Sequence, residues 1–117
     1  MIQVICPVCG AALEPQGTAW RCVQGHCFDV ARQGYVNLLT VTQKHSRHPG
    51  DTREMVAARR AFLDAGWYAP IAKTLADLVR RFCPEAASVL DAGCGEGYYL
   101  SQLGWVPERW GIDISRD

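Results

Sequence analysis

The sequence of 117 residues lacks any long apolar run. A membrane-spanning helix needs about 20 consecutive apolar residues, so no membrane span is expected. The first three residues also lack the basic start and the apolar core of a secretory signal peptide. Hydrophobic and charged fractions of 49% and 21% are ordinary for a globular domain. Together these features favour a cytoplasmic protein.

The chain also lacks net charge, but the charges are unevenly placed. Residues 1–81 carry four more basic than acidic side chains, and residues 82–117 carry four more acidic than basic ones. A basic region suits a polyanion such as RNA, and an acidic region suits a cationic ligand. The asymmetry is compatible with both kinds of partner and does not by itself identify either.

Without a secretion signal, the six cysteines are not expected to form disulfides. Cys6, Cys9, Cys22 and His26 follow the pattern C-x2-C-x12-C-x3-H, which offers the four tetrahedral ligands that Zn²⁺ prefers. Cys27 lies beside His26 and is an alternative fourth ligand. His45 and His48 have no cysteine nearby, so no second metal site is predicted.

Residues 1–40 therefore read as a zinc-binding ribbon domain. Leu13 and the run Thr18–Cys22 are predicted as its two short strands, and the following segment, residues 28–39, as a turn and a strand-like closure in which Tyr35 and Leu38 could pack on the ribbon. A unit this small has little core, so the metal would supply much of its folding energy. Residues 41–53 are predicted as a polar, basic linker and a possible phosphate contact.

Two helices are predicted next. Asp51 or Thr52 can cap the first helix, and Gly66 can end it. In its middle, the pair Arg59 and Arg60 is expected to send one side chain toward RNA and the other toward an acid. Pro70 starts the second helix, whose apolar stripe is expected to be core against a sheet and consists of Ile71, Leu75, Leu78, Val79 and Phe82.

Residues 89–99 predict a buried strand, a glycine loop and the start of a helix. The loop lacks the G-x-G-x-x-G spacing typical of dinucleotide binding. Its shorter spacing, Gly93, Gly95 and Gly97, with Asp91 before it and Glu96 inside it, suits S-adenosylmethionine (SAM), whose ammonium group carboxylates can hold.

A second short strand is predicted over residues 110–114. Asp113 at its end is the candidate acceptor for ribose hydroxyls, as in other nucleotide-binding α/β units. Trp67 and Tyr68 lie between the two helices, where they could cover a cofactor or simply pack the helix junction. No residue can be named as a general base, so the catalytic residues are unknown.

The chain resembles the RlmA-type 23S rRNA (guanine-N1) methyltransferases, which include enzymes that give macrolide resistance. The resemblance is carried by the zinc motif, by G-H-x-F-D-x-A-x-x-G-Y-V-N-L-L from Gly25 to Leu39, and by Pro49–Asp51. It continues through the segment from Ala58 to Gly66 and the loop L-D-x-G-C-G-E-G-Y-Y.

This resemblance implies a zinc domain that helps to hold an rRNA hairpin, followed by a Rossmann-like SAM domain. It implies zinc on Cys6, Cys9, Cys22 and His26, and SAM contacts from Tyr68, the Gly93–Gly97 loop and Asp113. Family members are expected to form homodimers. Cys27 departs from the family pattern, because a residue that is not a ligand is usual there.

The fold class expected is thus a small α+β zinc ribbon, then helices, then the beginning of an α/β Rossmann-like methyltransferase fold over residues 54–117. A doubly wound sheet needs more strands than the two written here, so the fold is expected to be truncated and the chain alone inactive. The predicted function is SAM-dependent methylation of guanine N1 in 23S rRNA. The alternative is a zinc module that binds RNA without transferring methyl groups.

Overall fold

The computed structural model describes residues 2–115, which form two compact units. The first unit runs from Ile2 to Arg47, and the second begins at His48. The boundary between them falls inside the segment 41–53 that the sequence predicts as a linker.

The first unit is built on a three-stranded antiparallel sheet in the order β1-β2-β3. Its strands are β1 (Leu13–Gln16), β2 (Ala19–Cys22) and β3 (Cys27–Asp29). The sequence predicts the first two, and β3 begins one residue before the segment 28–39 that is predicted as a turn and a strand-like closure. It forms because β2 has a second free edge, along which Trp20 pairs with Phe28 and Arg21 with Cys27. A short 3₁₀ helix, Val41–Gln43, follows.

The core of this unit is as small as predicted. Its buried members are Cys6, Leu13 and Cys22, and the partly buried residues packed on them are Val4, Cys9, Ala11, Trp20, Phe28 and Leu38. Leu38 thus packs where the sequence predicts, whereas Tyr35 is exposed. Two of these three buried residues are cysteines of the predicted metal site, so the core and the predicted site share residues.

The second unit opens with helix α1 (Arg53–Asp64). Thr52 is its N-cap, and the Thr52 hydroxyl accepts a hydrogen bond from the Met55 N–H at 3.2 Å. The helix ends before Gly66, whose φ of +86° is a conformation that glycine adopts without strain. Helix α2 (Ala69–Phe82) carries Pro70 in its first turn, where a missing N–H costs nothing.

Two parallel strands and a short helix complete this unit. β4 (Ser88–Ala92) pairs with β5 (Glu108–Ile112), and α3 (Tyr98–Ser101) lies between them in sequence. β5 begins and ends two residues earlier than predicted. The Asp113 side chain accepts a hydrogen bond from the Ser115 N–H at 2.8 Å, which turns the chain and ends the strand.

The apolar stripe of α2 is not buried as predicted. Within residues 48–115 the buried apolar residues are Leu63, Ala72, Leu103 and Val106. By contrast, Phe82 is 72% exposed and Ile71 53% exposed. The helix itself forms as the sequence predicts, but a sheet of two strands is too narrow to cover the whole apolar face.

No helix within residues 2–115 combines the length and the hydropathy needed to cross a bilayer.

Candidate metal centre and cofactor cleft

The four predicted metal ligands converge at one end of the ribbon. Cys6 and Cys9 lie on the turn before β1, Cys22 is the last residue of β2, and His26 directly precedes β3. One ligand atom from each of the four residues lies within 4.8 Å of the others. The hydrogen bonds that close the turns, from the Cys6 N–H to the Ala11 carbonyl and from the Cys22 N–H to the His26 carbonyl, fix the backbone around them.

The spacing of these atoms fits a tetrahedral ion. With Zn–S bonds of about 2.3 Å and Zn–N bonds of about 2.0–2.1 Å, tetrahedral ligands should be about 3.8 Å apart for two sulfurs and about 3.5 Å apart for sulfur and nitrogen. The two sulfurs of Cys9 and Cys22 are 3.7 Å apart. His26 Nδ1 lies 3.6 Å from the Cys6 sulfur and 3.3 Å from the Cys22 sulfur. The donor set therefore fits Zn²⁺, with Nδ1 as the imidazole ligand.

The pKa values of the Cys22 and Cys9 thiols are shifted in opposite directions. Burial raises the pKa of the Cys22 thiol, but the backbone N–H groups of His26 and Gln24, the His26 ring and the Cys9 side chain outweigh it, and the pKa falls from 9.0 to about 6. For Cys9, the backbone N–H of Ala11 lowers the pKa, but burial and the neighbouring thiols raise it more. Because thiolates are the metal-binding form, Cys22 is prepared to bind metal at neutral pH.

Cys27, the alternative fourth ligand, lies outside this group. Its side chain is exposed, and it belongs to β3, opposite Arg21. The sulfur of Cys27 is not among the four ligand atoms that lie within 4.8 Å of one another. The geometry favours His26 as the fourth ligand.

The second candidate site is a cleft beside the glycine loop. The Gly95 N–H donates a hydrogen bond to Asp113 Oδ2 at 2.8 Å, which joins the loop after β4 to the acid after β5. The cleft is shallow, with a cavity volume of about 30 Å³, and its lining residues are Asp51, Val56, Arg59, Arg60, Gly95, Glu96, Asp113 and Ser115. At Gly95, where φ is +54°, an added Cβ would meet nothing within 4 Å, so the backbone is open to a close ligand.

The structure brings some of the predicted SAM residues together and leaves others apart. Gly95, Glu96 and Asp113 line the cleft. Gly93 and Asp91 lie behind it: the Gly93 N–H donates to the Ile112 carbonyl, and Asp91 faces Gly111 across the sheet.

Gly97 and Tyr68 have other positions. Gly97 precedes α3 and lines a second, more open depression with Leu100 and Arg109. Tyr68 packs edge-on against Phe62, with ring centroids 4.9 Å apart. For Tyr68, this contact is the helix-junction packing that the sequence left open.

Cys94 lies between the two carboxylates of the site. Burial raises the pKa of the Cys94 thiol, and the negative charges of Asp113 and Asp91 raise it further. After burial, the charges of Asp113 and Asp91 are the causes of this shift. Their summed negative potential is what a cationic ligand would meet there.

Sequence reasoning missed the contribution of α1 to this cleft. The prediction that one arginine of the pair meets an acid is confirmed for both, because Arg59 forms an ion pair with Asp51 and Arg60 forms one with Glu96. The contact with RNA stays a prediction. Ser115 was also missed, and its hydroxyl donates to the Asp51 carbonyl at 3.1 Å. The opposite charges of these residues were a signal for the ion pairs. Only the fold, however, brings Asp51, Arg60 and Glu96 to one cleft.

Comparison with known proteins identifies the first unit. The family described as "RlmA, N-terminal", a zinc ribbon, matches residues 4–47. A relative from Streptomyces fradiae, named 23S rRNA (guanine(748)-N(1))-methyltransferase, is 46% identical over 100 residues, which cover 84% of this chain and 35% of the relative. The chain belongs to the RlmA-type family. The recognition made from the sequence motifs is thereby confirmed.

Other RlmA-type relatives extend the match. A protein from Micromonospora griseorubida is 42% identical over 132 residues, covering 95% of this chain and 44% of the relative. Bacillus subtilis YxjB is 34% identical over 123 residues, covering 96% of this chain and 42% of the relative. Both carry the name 23S rRNA (guanine-N(1)-)-methyltransferase provisionally. The chain thus spans 35% to 44% of the length of these curated relatives.

Proposed function

We propose that this chain contributes the rRNA-binding zinc ribbon and the first part of the cofactor site to a SAM-dependent methyltransferase acting on guanine N1 of 23S rRNA. The observation that carries the proposal is the hydrogen bond from Gly95 to Asp113, which joins the glycine loop and the acid after the second strand in one open cleft. The names of the relatives support the reaction and the substrate. A Rossmann-like arrangement is supported by the parallel pairing of β4 and β5 around α3.

In the ribbon, Cys6, Cys9, Cys22 and His26 would hold Zn²⁺. The ion would supply folding energy that so small a core lacks, as structural zinc does elsewhere. A folded ribbon presents a fixed surface to an rRNA hairpin. The basic segment that follows, with Lys44 and Arg47 exposed, would add phosphate contacts.

At the cleft, bound SAM supplies a methyl group made electrophilic by its sulfonium. Asp113 is positioned to accept from ribose hydroxyls, because each carboxylate oxygen that now accepts one backbone N–H can accept a second bond. Asp91, Gly93 and Gly97 would shape the strand end and the loop around the amino-acid part, and Tyr68 would lie at the edge. Guanine N1 is on the Watson–Crick edge, so the base must be unpaired to react.

The metal assignment is tested by two cysteine variants. Cys22→Ser should lose tightly bound zinc, whereas Cys27→Ser should keep one zinc per chain. Zinc content by mass spectrometry and the absorption spectrum of the Co²⁺-substituted protein provide the measurements. Zinc retained in Cys22→Ser and lost in Cys27→Ser would contradict the assignment.

The cofactor assignment is tested by calorimetry with SAM on the zinc-loaded chain. Asp113→Asn should weaken binding by about 1.5–3 kcal/mol, the usual worth of a hydrogen bond to a charged group. The matched control is Asp77→Asn, because Asp77 is an exposed acid of α2 that pairs with Lys73. Equal affinities in the two variants would argue against Asp113 as the ribose acceptor, and no SAM binding by the unsubstituted chain would leave the ribbon as its only binding unit.

A further inference from the structure

One ion pair connects helix α1 to the glycine loop. The Arg60 guanidinium donates through Nε to Glu96 Oε2, linking residues that are 36 positions apart in the sequence. Within the described residues of the second unit, two other ion pairs occur, Arg59 with Asp51 and Lys73 with Asp77. The pair at Glu96 differs from both because one of its members belongs to the loop beside the cleft.

The glycine loop is therefore held from two directions. On one side, Asp113 accepts from the Gly95 N–H at 2.8 Å. On the other side, Arg60 holds the next residue, Glu96, through its side chain. Both contacts are made at the centre of the loop, so together they fix the two residues that face the cleft.

Helix α1, which carries Arg60, is also linked near its N-terminus to the residues that follow β5. Ser115, two residues after Asp113, donates its hydroxyl to the carbonyl of Asp51, just before α1. Gly50 approaches Ser115 so closely that an added Cβ would lie 2.8 Å from the Ser115 nitrogen. Helix α1 is thus fixed against the end of β5 while its middle reaches the loop.

The ion pair between Arg60 and Glu96 is expected to restrict the loop and to change the overall stability of the unit little. The side chains of Arg60 and Glu96 are 59% and 21% exposed, and ion pairs so open to water contribute little to overall stability. A loop with three glycines, however, has many accessible backbone conformations. Restricting them before a ligand arrives lowers the ordering cost of binding.

We propose that Arg60 is a positioning residue that anchors the glycine loop through Glu96 and thereby sets the affinity of the cleft for its cofactor. This rests on the proposed function. It also gives Glu96 a role different from the one predicted from sequence: its carboxylate is neutralised by Arg60 and shapes the loop.

The experiment uses the full, zinc-loaded chain and two measurements. The first is amide hydrogen exchange of residues 93–97 without ligand, and the second is SAM affinity by calorimetry. The variants are Arg60→Ala, Glu96→Gln and the charge exchange Arg60→Glu with Glu96→Arg. Arg53→Ala is the control, because it removes the same charge from an exposed position in the first turn of the same helix.

Arg60→Ala and Glu96→Gln should each speed loop exchange and weaken SAM binding by about two- to fivefold, the size expected for one exposed pair. Arg53→Ala should match the unsubstituted chain, and the charge exchange should recover part of both losses. The thermal midpoint should stay within about 4 °C in all variants, since surface changes rarely alter stability by more than about 0.5 kcal/mol.

The proposal is overturned if Arg60→Ala exchanges as slowly as Arg53→Ala, or if its loop exchanges faster while its SAM affinity is unchanged. A different outcome separates it from the proposed function. If the unsubstituted chain binds no SAM but the exchange pattern is as expected, the proposed function fails, whereas the anchoring of the loop by Arg60 stands.

Discussion

The two units of this chain solve the problem of a small core in opposite ways. The ribbon of residues 2–47 buries two cysteines of the candidate metal centre, Cys6 and Cys22, in its apolar cluster. The unit from His48 onward has no ligand cluster of this kind among its described residues, and it buries Leu63, Ala72, Leu103 and Val106 while the apolar side of α2 stays exposed. A bound ion can supply the folding energy that a small core lacks. A parallel sheet instead needs covering layers on both faces to bury its apolar residues.

The largest expected effect is the difference in unfolding between the two units when the metal is removed. Chelation should unfold the ribbon, because structural zinc contributes apparent free energies of about 10–16 kcal/mol in small domains. The unit containing Trp105 and Trp110 should be unaffected. Two-dimensional NMR would follow the indole signal of Trp20 against those two, and addition of Zn²⁺ should restore it. A Trp20 signal that persists after complete zinc loss would mean that the ribbon core is sufficient without metal.

The next effect compares an apolar residue in each unit. Leu13→Ala should destabilise the zinc-loaded ribbon by about 2–5 kcal/mol, because Leu13 is only 3% exposed. Phe82→Ala should change the stability of the second unit by less than about 0.5 kcal/mol, because Phe82 is 72% exposed. Urea unfolding with a separate probe in each unit provides the measurement. A large loss in Phe82→Ala would show that the α2 stripe is covered in solution.

A smaller effect tests the packing of the second unit at Gly50. Gly50 and Gly66 have nearly equal φ values, +81° and +86°, so alanine is strained at both. Only at Gly50 would the new Cβ collide with the Ser115 backbone. Gly50→Ala should therefore cost about 1–3 kcal/mol more than Gly66→Ala, the usual size of an overpacking penalty. Equal thermal midpoints for the two variants would contradict the contact between this turn and Ser115.

The smallest effect concerns thiol reactivity in the second unit. Burial, followed by the charges of Asp113 and Asp91, raises the pKa of Cys94, so less of its reactive thiolate exists at neutral pH. With iodoacetamide at pH 7.5, Cys94 should react about severalfold more slowly than the exposed Cys83. Its rate should keep rising with pH beyond 9. Peptide mass spectrometry over time measures both rates, and faster labelling of Cys94 would contradict the buried, acid-flanked thiol.

Prediction from sequence succeeded where the signal is local. The spacing of Cys6, Cys9, Cys22 and His26 predicted a cluster that the structure brings together. The cap at Thr52, the helix end at Gly66 and the start near Pro70 follow from the backbone preferences of those residue types. Each of these features depends on neighbours within a few positions.

Prediction from sequence was less successful where burial or pairing depends on residues that are distant in the sequence. The stripe of α2 was expected to be core, yet burial requires a covering layer that a helical period cannot reveal. One of Arg59 and Arg60 was expected to pair with an acid, whereas both do so. For Arg60 the acid lies in a distant loop, and no local pattern marks that partner.

By itself, the sequence determined the candidate metal ligands, the glycine loop, the two helices and the family, because these follow from residue type and short-range spacing. The tertiary structure alone decided that Asp113 accepts a hydrogen bond from Gly95 and that Arg60 reaches Glu96. It also places His26, the fourth ligand that the family resemblance implies, in the cluster. The reason is physical: strand alternation and long-range packing set which side chains meet, and a linear sequence fixes only the candidates.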